Sequence, residues 1–224
     1  DTPSMNSFLR FSAGQKTREI DTIFSFKTEG GILRAVEKCI GSADCRRTHL
    51  TGGTMCPSYM ATLDEKNSTR ARANILREFI AYSHKKNVFA HKEIYEVLDL
   101  CLSCKACKSE CPSNVDMTKF KTEFLQHYYE EYGVPLRSRA VANIADLNKI
   151  GMLAPSVYNF FMQNKFFSSI FKSIIGFAKE RSFPVLPKQT LRKWAVKELE
   201  SNNNILSKSR GEIVLFIDEF SNYN

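Results

Sequence analysis

Between Cys101 and Cys111 the chain places four thiols in eleven residues, Cys101-Leu-Ser-Cys104-Lys-Ala-Cys107-Lys-Ser-Glu-Cys111, followed at once by Pro112. This C-x2-C-x2-C-x3-C-P spacing constrains the fold more than any other feature. A compact loop with cysteines three apart can curl around one cubane and present three thiolates to three irons, while the fourth thiol serves a second cluster. A zinc site would instead show two C-x2-C pairs, or a Cys/His set, split by a longer loop. The run reads as half of a two-cluster iron–sulfur site, and it demands a partner.

The partner is Cys39-Ile-Gly-Ser42-Ala-Asp-Cys45, with Cys56-Pro57 beyond it. Laid on the same template, Cys39, Ser42 and Cys45 fill the three tight-loop slots and Cys56 is the crossing ligand. The expected ligand sets are Cys56, Cys101, Cys104 and Cys107 for cluster one, and Cys39, Cys45 and Cys111, with Ser42 as a fourth candidate, for cluster two. Serine is a harder and less acidic ligand than cysteine. Cluster two is then a [4Fe-4S] cluster with oxygen at one iron or a [3Fe-4S] cluster lacking that iron, unless Ser42 merely fills space. Arg46, Arg47, Lys105 and Lys108 stand beside the ligands and would offset cluster charge, and Gly52-Gly53 would let backbone N–H groups turn toward sulfur. Both effects raise a reduction potential. The competing reading of each basic side chain is a solvated surface residue.

All seven cysteines lie between Cys39 and Cys111. An odd number gathered in one region argues for metal in a reducing compartment and against a disulfide framework. At 43% hydrophobic and 12% aromatic residues the chain can bury a sizeable core, which excludes disorder. Nothing approaches the ~18 to 20 consecutive apolar residues of a membrane span, and no signal peptide opens the chain. The expected location is cytoplasmic.

The formal charge of +8 invites a nucleic-acid reading, but residues 1–112 carry 17 basic and 13 acidic side chains and residues 113–224 carry 15 and 11. The even split and the cluster-type spacing argue against nucleic acid. The bound clusters, at roughly −2 each, would lower the total to about +4. One stretch, Leu153 to Lys193, has seven basic residues against Glu180 alone. Within it Phe167, Phe171, Ile174, Ile175 and Ala178 share one helical side, with Lys165, Lys172 and Lys179 on the other. Such a helix either lies on an anionic surface at the inner face of a membrane or packs its apolar side in a core with the basic face solvated, the commoner case. His49, His84, His91 and His127 show no ligand spacing. No Walker loop, G-x-S-x-G, G-x-G-x-x-G or H-E-x-x-H occurs, so no catalytic residue is expected.

Helical periodicity predicts elements at Ile32–Lys38, after Asn67-Ser68-Thr69 through Tyr82, from His91 to Cys101 with the cysteine as its last apolar position, and from the N-cap Asp116 to Gly133. Further helices are expected over Ala140–Lys149, Val157–Met162, Phe167–Ala178 and Leu191–Leu199. The apolar, β-branched run Glu212-Ile-Val-Leu-Phe-Ile217 reads as a strand buried on both faces. The expected organisation is a linker over 1–30, a two-cluster helical domain over 31–135, additional helices over 136–211, and over 212–224 the first strand of a following α/β domain.

Cys39 to Pro57, Ser58-Tyr-Met-Ala-Thr-Leu-Asp-Glu65, Ser68-Thr-Arg-Ala-Arg-Ala-Asn74 and Leu98-Asp-Leu-Cys101 through Met117 together resemble the iron–sulfur region of large FAD-linked oxidases of the D-lactate or D-2-hydroxyglutarate dehydrogenase type. The resemblance implies a mainly α fold, an α-helical ferredoxin. It implies a flavin domain with FAD before this segment and a cysteine-rich domain, of the heterodisulfide-reductase type, after it. Residues 1–26 are similar to the segment leaving the flavin domain. The implied role is one relay of an FAD-dependent 2-hydroxy-acid oxidoreductase, carrying electrons toward a quinone, cytochrome or disulfide-type acceptor. The alternative is an iron–sulfur subunit of a glycolate or glycerol-3-phosphate dehydrogenase. Many relatives with separate subunits have cysteine where Ser42 stands.

Overall fold

The computed structural model describes residues 2, 4, 5, 7, 14, 16–202, 211 and 213–223. The chain divides into two compact units, Asp1–Gly133 and Val134–Asn224. The fold is mainly helical, and no strand forms among the described residues.

The first unit contains α1 (Ile32–Glu37), α2 (Pro57–Thr62), α3 (Thr69–Tyr82), α4 (Lys92–Asp99), α5 (Ala106–Glu110) and α6 (Met117–Tyr132). Helix α3 begins where the Ser68 hydroxyl accepts the Ala71 N–H at 3.0 Å, satisfying one of the orphan donors of the first turn. Its buried positions Ala73, Leu76 and Ile80 recur three and four residues apart and face α1, α4 and α6. Helix α6 is built the same way. Asp116 accepts from the Lys119 N–H at 3.1 Å, Met117, Phe120 and Phe124 are buried, and Gly133 ends the helix at a φ of 81°. These side chains join Phe26, Val88 and Phe89 in one core. Each large apolar side chain so buried contributes about 1.5–3 kcal/mol, enough for a rigid frame to hold irregular loops between its helices.

Glu123 is a carboxylate inside this core. Its oxygens accept the backbone N–H groups of Ile23 at 2.8 Å and Phe24 at 2.9 Å, and the His127 ring nitrogen lies 2.9 Å away. His127 in turn stacks on Phe89 with centroids 4.8 Å apart. The segment ahead of the short 3-10 turn Lys27–Glu29 is thereby fastened to α6, and Lys119 adds a bond to the Ser25 carbonyl at 2.6 Å. Other positions of the expected leading segment, among them 1, 3, 6, 8–13 and 15, lie outside the described residues.

The second unit contains α7 (Leu136–Ala142), α8 (Ile144–Gly151), α9 (Pro155–Gln163), α10 (Lys165–Ile175), α11 (Leu191–Asn202) and α12 (Glu219–Tyr223). Asn159 holds the following loop through a reciprocal pair, donating to the Leu186 carbonyl at 2.8 Å and accepting its N–H at 2.9 Å. Leu186 is buried there against Gly151, where an added Cβ would come within 2.6 Å of it.

Four expectations need correction. Helix α4 stops at Asp99, so Cys101 sits just past it, although its N–H still reaches the Leu98 carbonyl at 3.0 Å. The single helix expected over 140–149 is two, broken at Asn143, whose side-chain amide bonds back to the Arg139 carbonyl at 2.8 Å and competes with the helical pattern. The strand expected over 212–217 does not form in 213–217, where Ile213 is 95% and Val214 97% exposed. A buried-type strand needs a paired edge and covered faces, and no described residue supplies either. Finally, α10 does not present its lysines to water as a whole: Lys172 and Ser168 are buried, with Lys172 Nζ bonded to the Lys179 carbonyl at 3.1 Å, while Phe166 and Ile174 are 69% and 67% exposed. No helix among the described residues is long and apolar enough to cross a membrane.

Candidate metal centre

Two cavities open in the first unit, and thiols line both. Cys56, Cys101, Cys104 and Cys107 surround one, of about 310 Å³ with its open mouth included. Cys39, Ser42, Cys45 and Cys111 surround the other, of about 280 Å³ on the same basis. Each cavity thus takes one thiol from the other cysteine group. Among the described residues no three His, Cys, Asp or Glu side chains converge closely enough for a single metal ion. The thiols instead line open cavities, an arrangement suited to a body whose separate irons each take one thiolate.

Local backbone makes these loops. Around the first cavity Ser103 and Lys105 take left-handed conformations, with φ of 53° and 63°, and the chain between Cys101 and Cys107 curls inward. Around the second, Gly41 at 78° and Ala43 at 65° do the same between Cys39 and Cys45. A non-glycine residue in this region costs on the order of 1 kcal/mol and persists only where its surroundings hold it.

Helix α3 begins between the cavities. Thr69, in its first turn, lines both, as does the buried Met55, so these two side chains form a common wall. The Arg70 N–H donates to Cys45 Sγ at 3.3 Å. Burial nevertheless pushes the Cys45 thiol up, Arg70 offsetting only part of it, and burial pushes Cys107 up to about 11. Cys56 differs. Burial again raises it, but the Ser58 hydroxyl, the Arg72 guanidinium and the Thr69 hydroxyl together outweigh that and hold it below the usual thiol value. The raised thiols ionise readily only when a cation, such as iron, takes the proton's place.

The loop carrying Cys56 is pinned from the other cysteine group. Glu110 accepts the Thr54 hydroxyl, the Thr54 N–H at 2.9 Å and the Met55 N–H at 3.1 Å, and these bonds hold its carboxyl below the usual range. Gly53, at a φ of 84°, permits the approach, because a Cβ there would come within 2.9 Å of the carboxylate. Gly52 is also left-handed, at 73°.

Of the basic residues singled out by sequence, Lys105 lines the first cavity. The other three pair with acids: Arg46 with Glu65 at 2.8 Å, Arg47 with Asp44 at 2.7 Å, and Lys108 with Asp116 at 3.5 Å. Ser42 faces the second cavity while its hydroxyl, together with Arg47, holds the Asp44 carboxyl below its usual value. Sequence reasoning missed Met55, Thr69, Glu110 and Arg72. Only Arg72 left a signal, a charge four residues before Leu76 on the apolar stripe of α3.

Residues 38–116 match the family model of the 4Fe-4S dicluster domain. The chain is 27% identical over 172 residues to the D-2-hydroxyglutarate dehydrogenase of Pantoea ananatis, an alignment covering 62% of this chain and 16% of that protein. It is 25% identical over 229 residues to the enzyme of the same name from Escherichia coli, covering 85% and 22%. For Pseudomonas putida the figures are 25% over 170 residues, 62% and 17%. The chain thus spans about a fifth of the length of the curated relatives it matches. No solved structure matches significantly. The comparisons agree with the resemblance to the iron–sulfur region of a D-2-hydroxy-acid dehydrogenase-type protein, and residues 38–116, which carry all seven thiols around the cavities, are similar to a 4Fe-4S dicluster domain.

Proposed function

We propose that this chain relays electrons from an FAD domain of the same polypeptide, where a D-2-hydroxy acid such as D-2-hydroxyglutarate is oxidised, toward an acceptor of quinone, cytochrome or disulfide type. The observation that carries the reading is the common wall of Met55 and Thr69 between two thiol-lined cavities. When bound, iron–sulfur clusters supply one-electron chemistry. The protein's part is to hold the two groups on either side of Met55 and Thr69 and to place the Arg70 N–H of α3 on Cys45, with the buried helical core packed behind them. Cys56, Cys101, Cys104 and Cys107 would hold one group, and Cys39, Cys45 and Cys111, with Ser42 or a water, the other. The substrate class rests on the names of the relatives, and FAD on the resemblance to FAD-linked oxidases.

The location that fits this role is the cytoplasm, with α10 touching the inner face of the membrane. Its exposed Phe166, Ile170 and Ile174 beside Lys165 support that contact, since anionic lipid attracts the basic Leu153–Lys193 stretch while the apolar side chains enter the headgroup region.

The test is anaerobic rapid mixing of the full-length protein with D-2-hydroxyglutarate. Flavin reduction followed by bleaching of the iron–sulfur absorbance is expected. A Cys104→Ala variant should keep flavin reduction and lose part of the slower bleaching. If the clusters stay oxidised with substrate yet bleach with dithionite, the relay reading fails.

A further inference from the structure

We infer that Arg72 is the positioning residue that sets the reduction potential of the group held by Cys56, Cys101, Cys104 and Cys107, by donating hydrogen bonds from its guanidinium to sulfur and supplying the counter-charge. The inference rests on that cavity holding an iron–sulfur cluster and not on the identity of any substrate.

Arg72 is only 1% exposed, deep among the apolar side chains of α3. Burying a guanidinium is costly unless an anion and hydrogen-bond acceptors compensate. Three of its contacts are accounted for. Nε donates to the Val97 carbonyl at 3.0 Å, and Nη1 reaches Ser58 Oγ at 3.0 Å and Cys56 Sγ at 3.4 Å. None of these three acceptors is a carboxylate, and its buried Nη2 has no hydrogen-bond partner among the described residues. The side chain lines the cavity that the four thiols surround. A buried cation whose contacts include no carboxylate, which keeps an unused donor and lines a thiol-lined space, is complementary to a thiolate-bound cluster of net negative charge.

The geometry also orders the work. The Val97 and Ser58 bonds fix the guanidinium plane, with Nη1 also on Cys56 Sγ and Nη2 left as a donor that a bound cluster could use. Gaining one electron makes the bound group more negative. A fixed cation and N–H donors stabilise that form more than the oxidised one, so Arg72 raises the potential without touching any substrate. Lys105 shares the wall, but it lies in an exposed loop where solvent screens its charge.

The experiment is an EPR-monitored redox titration of cluster-loaded wild type, Arg72→Lys and Arg72→Gln, with iron content measured on each. The expected potentials of the cavity-one cluster fall in the order wild type, Lys, Gln, with the cavity-two cluster shifting less. A variant that loads its full iron and keeps the wild-type potential overturns the inference, because a purely structural arginine would alter loading and stability alone. Should neither variant load, wild type labelled with guanidino-¹⁵N arginine decides it. Pulsed EPR of the reduced protein should show a ¹⁵N coupling at the cavity-one cluster, and its absence overturns the inference.

Discussion

Replacing Glu123 by glutamine changes one oxygen to an amide nitrogen and little in shape, so it isolates the chemistry of the carboxylate. Ile23 and Phe24 donate to different oxygens, at 2.8 and 2.9 Å. Glutamine keeps one acceptor and turns donors toward the other N–H, which is left buried and unpaired at a cost of about 1–3 kcal/mol. The surviving bonds also lose their charged partner, from about 1.5–3 kcal/mol each toward about 0.5–1.5. Together the loss is about 2–4 kcal/mol, a large share of the ~5–15 kcal/mol that holds a domain together. The side chain is 0% exposed, so water cannot make up the difference. Because the broken bonds fasten Ile23 and Phe24 to α6, local release precedes global unfolding. Amide hydrogen exchange resolved to that segment, on the cluster-loaded protein, should accelerate at Ile23 and Phe24 by roughly 30- to 1,000-fold, the same free energy taken at ~1.4 kcal/mol per tenfold. If exchange there is unchanged while iron content is intact, the reasoning that the carboxylate anchors this segment is refuted.

Ser42→Cys should complete a fourth thiol at the second cavity, raise iron from about seven to about eight per chain after mild oxidation, and suppress the paramagnetic [3Fe-4S] signal, with Ser42→Ala leaving that signal or strengthening it. Burial, and after it Lys85, holds the His91 ring below its ordinary value, so the unfolded chain binds the proton more readily. The His91 contribution is present above pH ~6.5 and is lost as pH falls below it, and chemical unfolding at pH 7.5 and 5.5 should show a smaller pH effect in His91→Gln than in wild type. Cluster-loaded protein should sediment with phosphatidylserine-containing vesicles at low salt and be released at high salt, and Phe166→Ser with Ile174→Ser should weaken the low-salt binding.

Features governed by local rules are legible in the sequence. Ser68 and Asp116 cap helices because short polar side chains reach back to first-turn N–H groups, and the stripes Leu76–Ile80 and Phe120–Phe124 declare their buried faces by period alone. Cysteine spacing also orders the thiols into two sets, and those same sets line the two cavities. Tertiary context hides the rest. A lone Arg72 in an apolar stripe looks like an error until the cavity beside it is seen, and Met55 looks like filler until it lies between two sets of thiols. Lys172 reads as solvated from its helix face, yet its long stem and its bond to the Lys179 carbonyl keep it inside. The run near the C-terminal end carries strand propensity, but a strand is made by its neighbours.

The central claim is that the two cysteine groups exchange ligands, and single-cysteine variants test it most directly. Low-temperature EPR of the dithionite-reduced protein should be recorded for Cys56→Ala and Cys111→Ala, with Cys104→Ala and Cys39→Ala as references for damage at the first and second cavity. Crossed ligation predicts that Cys56→Ala loses the spectrum lost in Cys104→Ala, although Cys56 lies nearer in sequence to Cys39, and that Cys111→Ala pairs with Cys39→Ala. If Cys56→Ala instead matches Cys39→Ala, and Cys111→Ala matches Cys104→Ala, each group ligates its own cluster and the account is wrong.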